Sequence, residues 1–217
     1  MSGPDVLPEP PLVAILRGVR PEEAEPIGLA LLEAGIRIVE VPLNSPEPLA
    51  SVARLARVLE GRALVGAGTL RRASEVAEVA EAGGRLIVTP HADPAIVREA
   101  KARGLLAIPG VATPTEAFAM LDSGADGLKL FPAEMLGPAV VKALKAVLPA
   151  GTRLFPVGGI TPETMAAFRA AGADGFGLGS ALYRPGDGPA RVAERARTFL
   201  AAWRAAAGAD ALNGPGG

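Results

Sequence analysis

Apolar residues follow two alternating patterns along the chain, one typical of buried strands and the other of helices. Short, near-continuous apolar runs, such as LVAIL at 12–16 and LKLF at 128–131, are separated by longer segments with apolar residues three or four positions apart. One such helical segment carries its apolar positions at Leu49, Val52, Leu55, Ala56 and Leu59. Near-continuous apolar runs are typical of parallel strands that are covered on both faces. The pattern therefore predicts strands of a parallel sheet that alternate with amphipathic helices.

Glycine residues mark the boundaries between these units. Seven of them follow a helix-like segment and precede an apolar run, at intervals of 20 to 27 residues: Gly35, Gly61, Gly83, Gly104, Gly124, Gly151 and Gly172. Glycine adopts the left-handed conformation that ends many helices without steric cost. Together with the opening strand, the seven junctions give eight βα units. They predict a (β/α)₈ TIM barrel, and the alternative is a doubly wound open sheet.

The whole chain, residues 1–217, is predicted to be a single domain, because no linker-like segment interrupts this alternation. We place the barrel at residues 12–205. Residues 206–217 lack a clear apolar periodicity and are predicted to be a frayed tail.

Composition and charge exclude several classes of protein. The formal net charge is −1 and the pI is near 6.0, so no overall field favours nucleic acid or an anionic membrane as partner. Cysteine is absent and His91 is the only histidine, which excludes disulfides, thiolate nucleophiles and the usual His and Cys metal clusters. The N-terminal sequence has neither the pattern of a signal peptide nor a membrane span. We therefore expect a soluble, cytoplasmic protein without a metal ion or cofactor.

Lys129 is the most unusual residue of the apolar runs. Chemistry in a TIM barrel lies at the C-terminal ends of the strands, and Lys129 stands there in LKLFP. Side chains alternate across a strand, so Lys129 lies on the face opposite Leu128 and Leu130. If the two leucines pack on the helices, Lys129 points into the barrel mouth. The same alternation allows Glu40, in VEVP, to point there too.

Two interpretations of Lys129 remain open at this point. It could line the barrel in a structural salt bridge with Glu40. Alternatively, it could be a Schiff-base lysine, because burial favours the neutral, nucleophilic amine.

Two glycine-rich turns are predicted after the seventh and eighth strands. PVGGI contains Gly158 and Gly159, and GLGS contains Gly179 and Ser180. Backbone N–H groups of such turns can bind an anion, and TIM barrels frequently hold a phosphate at this position. The alternative is that the glycines serve only tight turns. His91, which also follows a strand, is predicted to be a solvated loop residue.

Several of these strand ends carry a family resemblance. From about residue 12 to residue 205, the chain resembles the class I aldolases that cleave 2-keto-3-deoxy-6-phosphosugar acids. Seven motifs carry this resemblance, in the same order as in the family: VEVPLNSP, GAGT, IVTP, PGVATPTEA, LKLFPAE, PVGGI and GLGS.

The resemblance implies a homotrimer of (β/α)₈ barrels in which Lys129 forms the Schiff base and Glu40 moves protons. It also implies that Thr69 and Pro90 line the pyruvyl pocket. The phosphate of the sugar acid would lie against Gly158, Gly159, Gly179 and Ser180, and the products would be pyruvate and glyceraldehyde 3-phosphate.

The family has two branches, which act on substrates that differ in configuration at C4. The gluconate branch has an arginine four residues after the shuttle glutamate and a threonine before the Gly-Gly pair, where this chain has Asn44 and Val157. These residues are similar to the galactonate branch, in which Arg17 would bind the substrate carboxylate and Val157 would contribute to epimer preference. Glu134, in FPAE, is more typical of the gluconate branch. A gluconate or dual-specificity enzyme is therefore the alternative, and a phosphosugar isomerase without a Schiff base or a non-catalytic barrel that binds phosphorylated metabolites is a more distant one.

Overall fold

The computed structural model describes the backbone of residues 7–212 and the side chains of residues 7–206. Strands and helices alternate from the first described strand to the last helix, except that two short strands, β5 and β6, follow one another. The strands are β1 (Leu12–Ile15), β2 (Ile38–Pro42), β3 (Leu64–Gly68), β4 (Leu86–Val88), β5 (Leu106–Ile108), β6 (Gly110–Val111), β7 (Leu128–Leu130), β8 (Leu154–Pro156) and β9 (Phe176–Leu178). The helices are α1 (Pro21–Ala34), α2 (Pro48–Val58), α3 (Ser74–Glu81), α4 (Pro94–Ala102), α5 (Pro114–Asp122), α6 (Ala133–Val147), α7 (Pro162–Ala170) and α8 (Pro189–Leu212).

The described strands form two parallel sheets. Six strands pair in the order β5-β4-β3-β2-β1-β9, and three pair in the order β6-β7-β8. The predicted fifth strand is divided into β5 and β6 at Pro109, which has no N–H to donate to a neighbouring strand. A single parallel bridge between Val157 and Gly177 connects the end of β8 to β9. The fold is thus an α/β arrangement of parallel strands with helices between them.

The strands separate two apolar clusters. The larger contains the strand residues that face the helices, among them Leu128 and Leu130. The smaller contains Leu7, which precedes β1, and residues from the opposite face of the strands, namely Val13, Ile38, Leu64, Leu86, Val88, Leu106, Ile108 and Phe155. Successive side chains of a strand point to opposite faces. A polar residue in register with the smaller cluster therefore faces away from the helices, toward that cluster. Glu40 and Lys129 occupy that register.

Five of the seven predicted glycines lie one or two residues after a helix, whereas Gly61 and Gly151 lie in the turns that follow the ends of α2 and α6. The φ angles of the seven glycines lie between 69° and 109°, in the left-handed region that disfavours residues with a Cβ. At the end of α1, the N–H of Gly35 donates to the carbonyls of Leu31 and Leu32. The regular spacing of these glycines therefore correctly predicted the points at which a helix is followed by a strand.

The C-terminal boundary differs from the prediction. Helix α8 continues through residue 205 to Leu212, so residues 206–212 extend the last helix and do not begin a separate tail. The rest of the predicted tail, residues 213–217, lies outside the described residues. Within the described part of the chain, no helix is long and apolar enough to span a membrane.

Candidate active site

Lys129 lies at the centre of β7, between β6 and β8. Its backbone pairs with Gly110 on one side and Phe155 on the other, and its side chain is only 5% exposed. Leu128 and Leu130 pack against the helices, as the alternation predicts, and Lys129 therefore faces the interior. The Nζ atom lies 4.7 Å from the centre of the Phe131 ring, a distance at which an aromatic face attracts a cation.

Glu40 occupies the corresponding position of β2, in the other sheet. It pairs with Ile15 of β1 and Gly66 of β3, and it is 1% exposed. Its Oε2 atom is buried and has no hydrogen-bond partner among the described residues. An unpartnered carboxylate oxygen is costly to bury, which suggests that this position serves function more than stability.

The two side chains line the same pocket. Its other walls are apolar and come from five strands, β1, β4, β5, β8 and β9, and from the residue that follows β8: Val13, Ile15, Val88, Ile108, Phe155, Val157 and Gly177. The structure thus brings the predicted lysine and glutamate together in buried, apolar surroundings.

Burial perturbs the proton affinity of both groups. It raises the pKa of Glu40 from 4.5 to about 7, although the charges of Lys129 and Arg17 act to lower it. Burial also lowers the pKa of Lys129, an effect that the Glu40 charge opposes and the Arg17 charge reinforces. Near neutral pH, Glu40 can therefore both accept and donate a proton, and the neutral amine of Lys129 becomes more accessible.

Arg17 lies just beyond the end of β1 and is exposed, as a group that meets a ligand should be. Its Nη1 donates to Oδ1 of Asn44 at 2.6 Å, and its Nη2 lies 3.4 Å from Oγ1 of Thr69. The backbone N–H of Gly18 donates to Oγ of Ser45 at 2.9 Å, which connects the loop after β1 to the loop after β2. The structure therefore holds Arg17 from the loops after β2 and β3.

Thr69 has an unusual backbone conformation. It directly follows β3 and has a φ of 63°, in the left-handed region, where a β-branched residue is rare. Strained backbone of this kind is concentrated at functional sites. Thr69, a predicted site residue, thus lies beside Arg17, and its left-handed conformation could not be predicted from the sequence.

The segment after β4 contains Thr89, Pro90 and His91. Oγ1 of the buried Thr89 accepts from the N–H of Gly110 at 3.2 Å and donates to the carbonyl of His91 at 2.5 Å, so it ties the end of β4 to β6. Pro90 is partly exposed at the end of the strand, and His91 is exposed, as predicted. The hydroxyl of Thr89 is thus occupied by hydrogen bonds within the protein, whereas Pro90 is partly exposed beside it.

The glycine turns lie after two strands that the Val157–Gly177 bridge joins. Val157 lines the pocket, while Gly158 and Gly159 have positive φ angles of 106° and 66°. Gly179 borders open space, because a Cβ placed on it would meet no atom within 4 Å, and the following Ser180 is exposed. The two turns therefore stand side by side and are accessible.

Glu134 has a position that the sequence did not reveal. A Cβ placed on Gly159 would lie 2.7 Å from Oε2 of Glu134, and one on Gly158 would lie 3.1 Å from the same atom. The two glycines thus permit close approach of the first turn of α6, in addition to any contact with an anion. Among the described side chains, no three His, Cys, Asp or Glu residues are grouped as a metal site would require.

Comparisons with known proteins place this geometry in a family. Residues 4–186 match the family model "Aldolase: KDPG and KHG aldolase". A "Probable 2-dehydro-3-deoxy-6-phosphogalactonate aldolase" of Rhizobium meliloti (strain 1021) is 46% identical over 200 residues, which are 92% of this chain and 94% of that protein. The 2-dehydro-3-deoxy-6-phosphogalactonate aldolase of Escherichia coli (strain K12) is 45% identical over 196 residues, 90% of this chain and 96% of that protein.

Two further matches bear on the branch and on the fold. The KHG/KDPG aldolase of Escherichia coli (strain K12) is 33% identical over 165 residues, 74% of this chain and 75% of that protein. A solved structure described as "Native KDPGal structure" superposes with a TM-score of 0.91 at 44% identity, over 93% of this chain and 98% of that one. The chain belongs to the KDPG and KHG aldolase family.

Proposed function

We propose that the chain is a class I aldolase that cleaves 2-dehydro-3-deoxy-6-phosphogalactonate to pyruvate and glyceraldehyde 3-phosphate. The observation that carries this proposal is the pocket in which a buried lysine and a buried glutamate lie among apolar walls. The relatives with galactonate names, which match over at least nine tenths of the chain, support the choice of substrate.

The first chemical step is the attack of Lys129 on the C2 ketone. The neutral amine forms a carbinolamine, and loss of water leaves an iminium cation between Nζ and C2. The lowered pKa of Lys129 favours this step, because it increases the share of neutral amine. The iminium then serves as the electron sink for cleavage.

Glu40 moves the protons of the second step. Its carboxylate removes the proton of the C4 hydroxyl, directly or through a water molecule, and the electrons of the C3–C4 bond flow into an enamine as the aldehyde leaves. The protonated Glu40 then returns a proton to C3 of the enamine. Water finally hydrolyses the imine and releases pyruvate and Lys129. A pKa near 7 suits a group that must both accept and donate a proton.

Charged and polar groups at the rim fix the two ends of the substrate. Arg17 is assigned to the substrate carboxylate, for which the planar guanidinium has a fitting geometry. Thr69 and Pro90 are assigned to the pyruvyl part. The accessible turns with Gly158, Gly159, Gly179 and Ser180 are assigned to the phosphate.

The two sheets are proposed to close into one (β/α)₈ barrel. Closure would join β5 to β6 through Pro109 and β8 to β9 through the bridge of Val157 with Gly177. The cytoplasmic location and the homotrimer that the resemblance implies are further proposals. Analytical ultracentrifugation of the purified protein would test the trimer directly.

A comparison of rates on the two C4 epimers tests the proposed substrate. We expect a higher kcat/KM for the galactonate epimer and measurable activity on the gluconate epimer. A preference for the gluconate epimer would instead favour the alternative substrate, with which the resemblance of Glu134 in FPAE to the gluconate branch agrees.

A further inference from the structure

The inner face of β3 carries two glycines, Gly66 and Gly68, where its neighbours β2 and β4 carry larger side chains. A Cβ placed on Gly68 would lie 2.0 Å from Oε2, 2.4 Å from Cδ and 2.5 Å from Oε1 of Glu40. The nearest heavy atoms that it would meet thus all belong to one carboxylate. The space left by the missing side chain of Gly68, here called the Gly68 niche, is therefore filled by the functional group of Glu40.

The backbone does not explain why residue 68 is glycine. The φ angle of Gly68 lies outside the left-handed range, in contrast to the glycines that end the helices, so an alanine could adopt its conformation. Its position in the strand is regular, since it pairs with Pro42 and Val88. The three nearest atoms that a side chain at this position would meet are those of the Glu40 carboxylate, which makes such a side chain unfavourable.

We propose that Gly68 is a positioning residue, which keeps the Glu40 carboxylate in a buried niche of β3 and so fixes the place from which Glu40 moves protons. This inference rests on the catalytic role proposed for Glu40. The oxygen that approaches the niche most closely is Oε2, the same atom that has no hydrogen-bond partner.

The niche also accounts for the environment of the carboxylate. Gly68 offers only its Cα hydrogens, and the pocket walls contributed by β4 and β5 are Val88 and Ile108, so these elements supply no donor to Oε2. Lys129 and Arg17 are the charged groups whose fields act on Glu40, and both favour its ionised form. Displacement of the carboxylate from the niche would place it nearer to the open mouth and to water.

A double-mutant cycle tests this inference. We expect Gly68→Ala to lower kcat by about 10²-fold and to move the acid limb of the pH–rate profile to lower pH, because the displaced carboxylate becomes solvated. Aspartate is one methylene shorter, so we expect its carboxylate to lie outside the niche. In the Glu40→Asp background, Gly68→Ala should therefore change kcat by less than about threefold.

The inference would be overturned if Gly68→Ala lowered kcat equally in the wild type and in the Glu40→Asp variant. A folded Gly68→Ala variant with unchanged turnover and pH profile would overturn it too. Gly188 is exposed, and a Cβ placed on it would meet no atom within 4 Å. Gly188→Ala is therefore the control, and we expect it to leave turnover and the pH–rate profile unchanged.

A failure of Gly68→Ala to fold would be equally informative. Removal of the Glu40 side chain in Gly68→Ala/Glu40→Ala should then restore folding, as measured by circular dichroism. At Gly66, a Cβ would instead lie 2.0 Å from the carbonyl oxygen of Leu86, so Glu40→Ala should not rescue Gly66→Ala. If the Gly68 double variant also stays unfolded, Gly68 serves another purpose and the inference is wrong.

The proposed aldolase function can fail separately. Absence of a borohydride-trapped pyruvate adduct on wild-type Lys129 would reject that function, whatever Gly68 does. A wild type that traps pyruvate, combined with a fully active Gly68→Ala variant, would reject only the positioning role.

Discussion

Lys129 and Glu40 line one buried pocket, although they come from strands of different sheets. Each would be unfavourable alone in these apolar surroundings, because an unpaired buried charge is costly. Their opposite charges partly offset this cost, since each shifts the pKa of the other toward the ionised form. The pair therefore stays close to the balance between ionised and neutral states, which a reaction with several proton transfers requires.

Glu40→Gln should separate proton transfer from Schiff-base formation. Glutamine keeps the size of the side chain but cannot exchange the proton, so we expect turnover to fall by about 10²–10⁴-fold. Pyruvate trapping on Lys129 should be retained better than turnover. The exposed Glu60 offers a control, because Glu60→Gln removes the same charge at a residue that does not line the pocket. Near-normal turnover of the Glu40→Gln variant would show that another group moves the proton.

The same substitution should change how stability depends on pH. The pKa of Glu40 is higher in the folded protein, about 7, than the usual 4.5, so the folded state binds this proton more tightly. The stability that results is fully present below about pH 4.5 and is lost as the pH rises through about 7. The Glu40→Gln variant has no ionisable group at this position, so it does not lose this stability as the pH rises. We expect its free energy of unfolding, relative to wild type, to increase by about 3 kcal/mol between pH 4.5 and pH 8.

Urea denaturation at several pH values measures this difference. The titration of Lys129 acts in the opposite direction at higher pH, because its pKa is lowered in the folded state, and loss of the Glu40 charge would lower that pKa further. A difference in unfolding free energy that does not vary with pH would contradict a buried, protonatable Glu40.

Asn44 should affect binding of the substrate carboxylate through Arg17. Asn44→Ala removes the acceptor 2.6 Å from Nη1, and loss of this exposed hydrogen bond, worth about 1 kcal/mol, should raise KM about fivefold with little change in kcat. Asn44→Asp keeps an acceptor but adds a negative charge that competes with the substrate carboxylate, so KM should rise further. Ser45→Ala is the control, because it removes the bond to Gly18 and leaves the acceptor of Arg17 in place. If Asn44→Ala leaves KM unchanged, Arg17 does not depend on Asn44 for its position.

Val157 should contribute to the choice between the two C4 epimers. It lines the pocket with methyl groups, whereas a threonine of similar shape could donate a hydrogen bond to a substrate hydroxyl. Val157→Thr should therefore improve kcat/KM for the gluconate epimer relative to the galactonate epimer, by about 1–3 kcal/mol at most. Both epimers must be assayed under the same conditions. An unchanged ratio would mean that Val157 serves only to pack the pocket.

Part of the fold could be predicted from the sequence because local physics fixes it. The left-handed glycines and the alternation around Lys129 depend only on neighbouring residues, and both predictions were correct. The division of the fifth strand at Pro109 was not predicted, because the apolar run continues across the proline. The end of α8 was also misplaced, since a helix can continue through a segment without clear apolar periodicity.

The remaining features of the site depend on strand register, which a single sequence does not contain. The contact of Gly68 with Glu40 requires β2 and β3 to pair so that Glu40 lies opposite Gly66. The approach of Glu134 to the Gly-Gly turn likewise requires the position of α6 relative to β8. The left-handed Thr69 had no sequence signal, because nothing in GAGT distinguishes a strained threonine from a relaxed one.

The most direct test of the central claim is reduction by borohydride in the presence of pyruvate, followed by mass spectrometry of the peptides. We predict a covalent pyruvate adduct on Lys129 and loss of activity in proportion to its formation. Lys142 and Lys145, which lie on α6 in the same part of the chain, are internal controls and should remain unmodified. An adduct on either of these lysines, or no adduct at all, would contradict the Schiff-base mechanism.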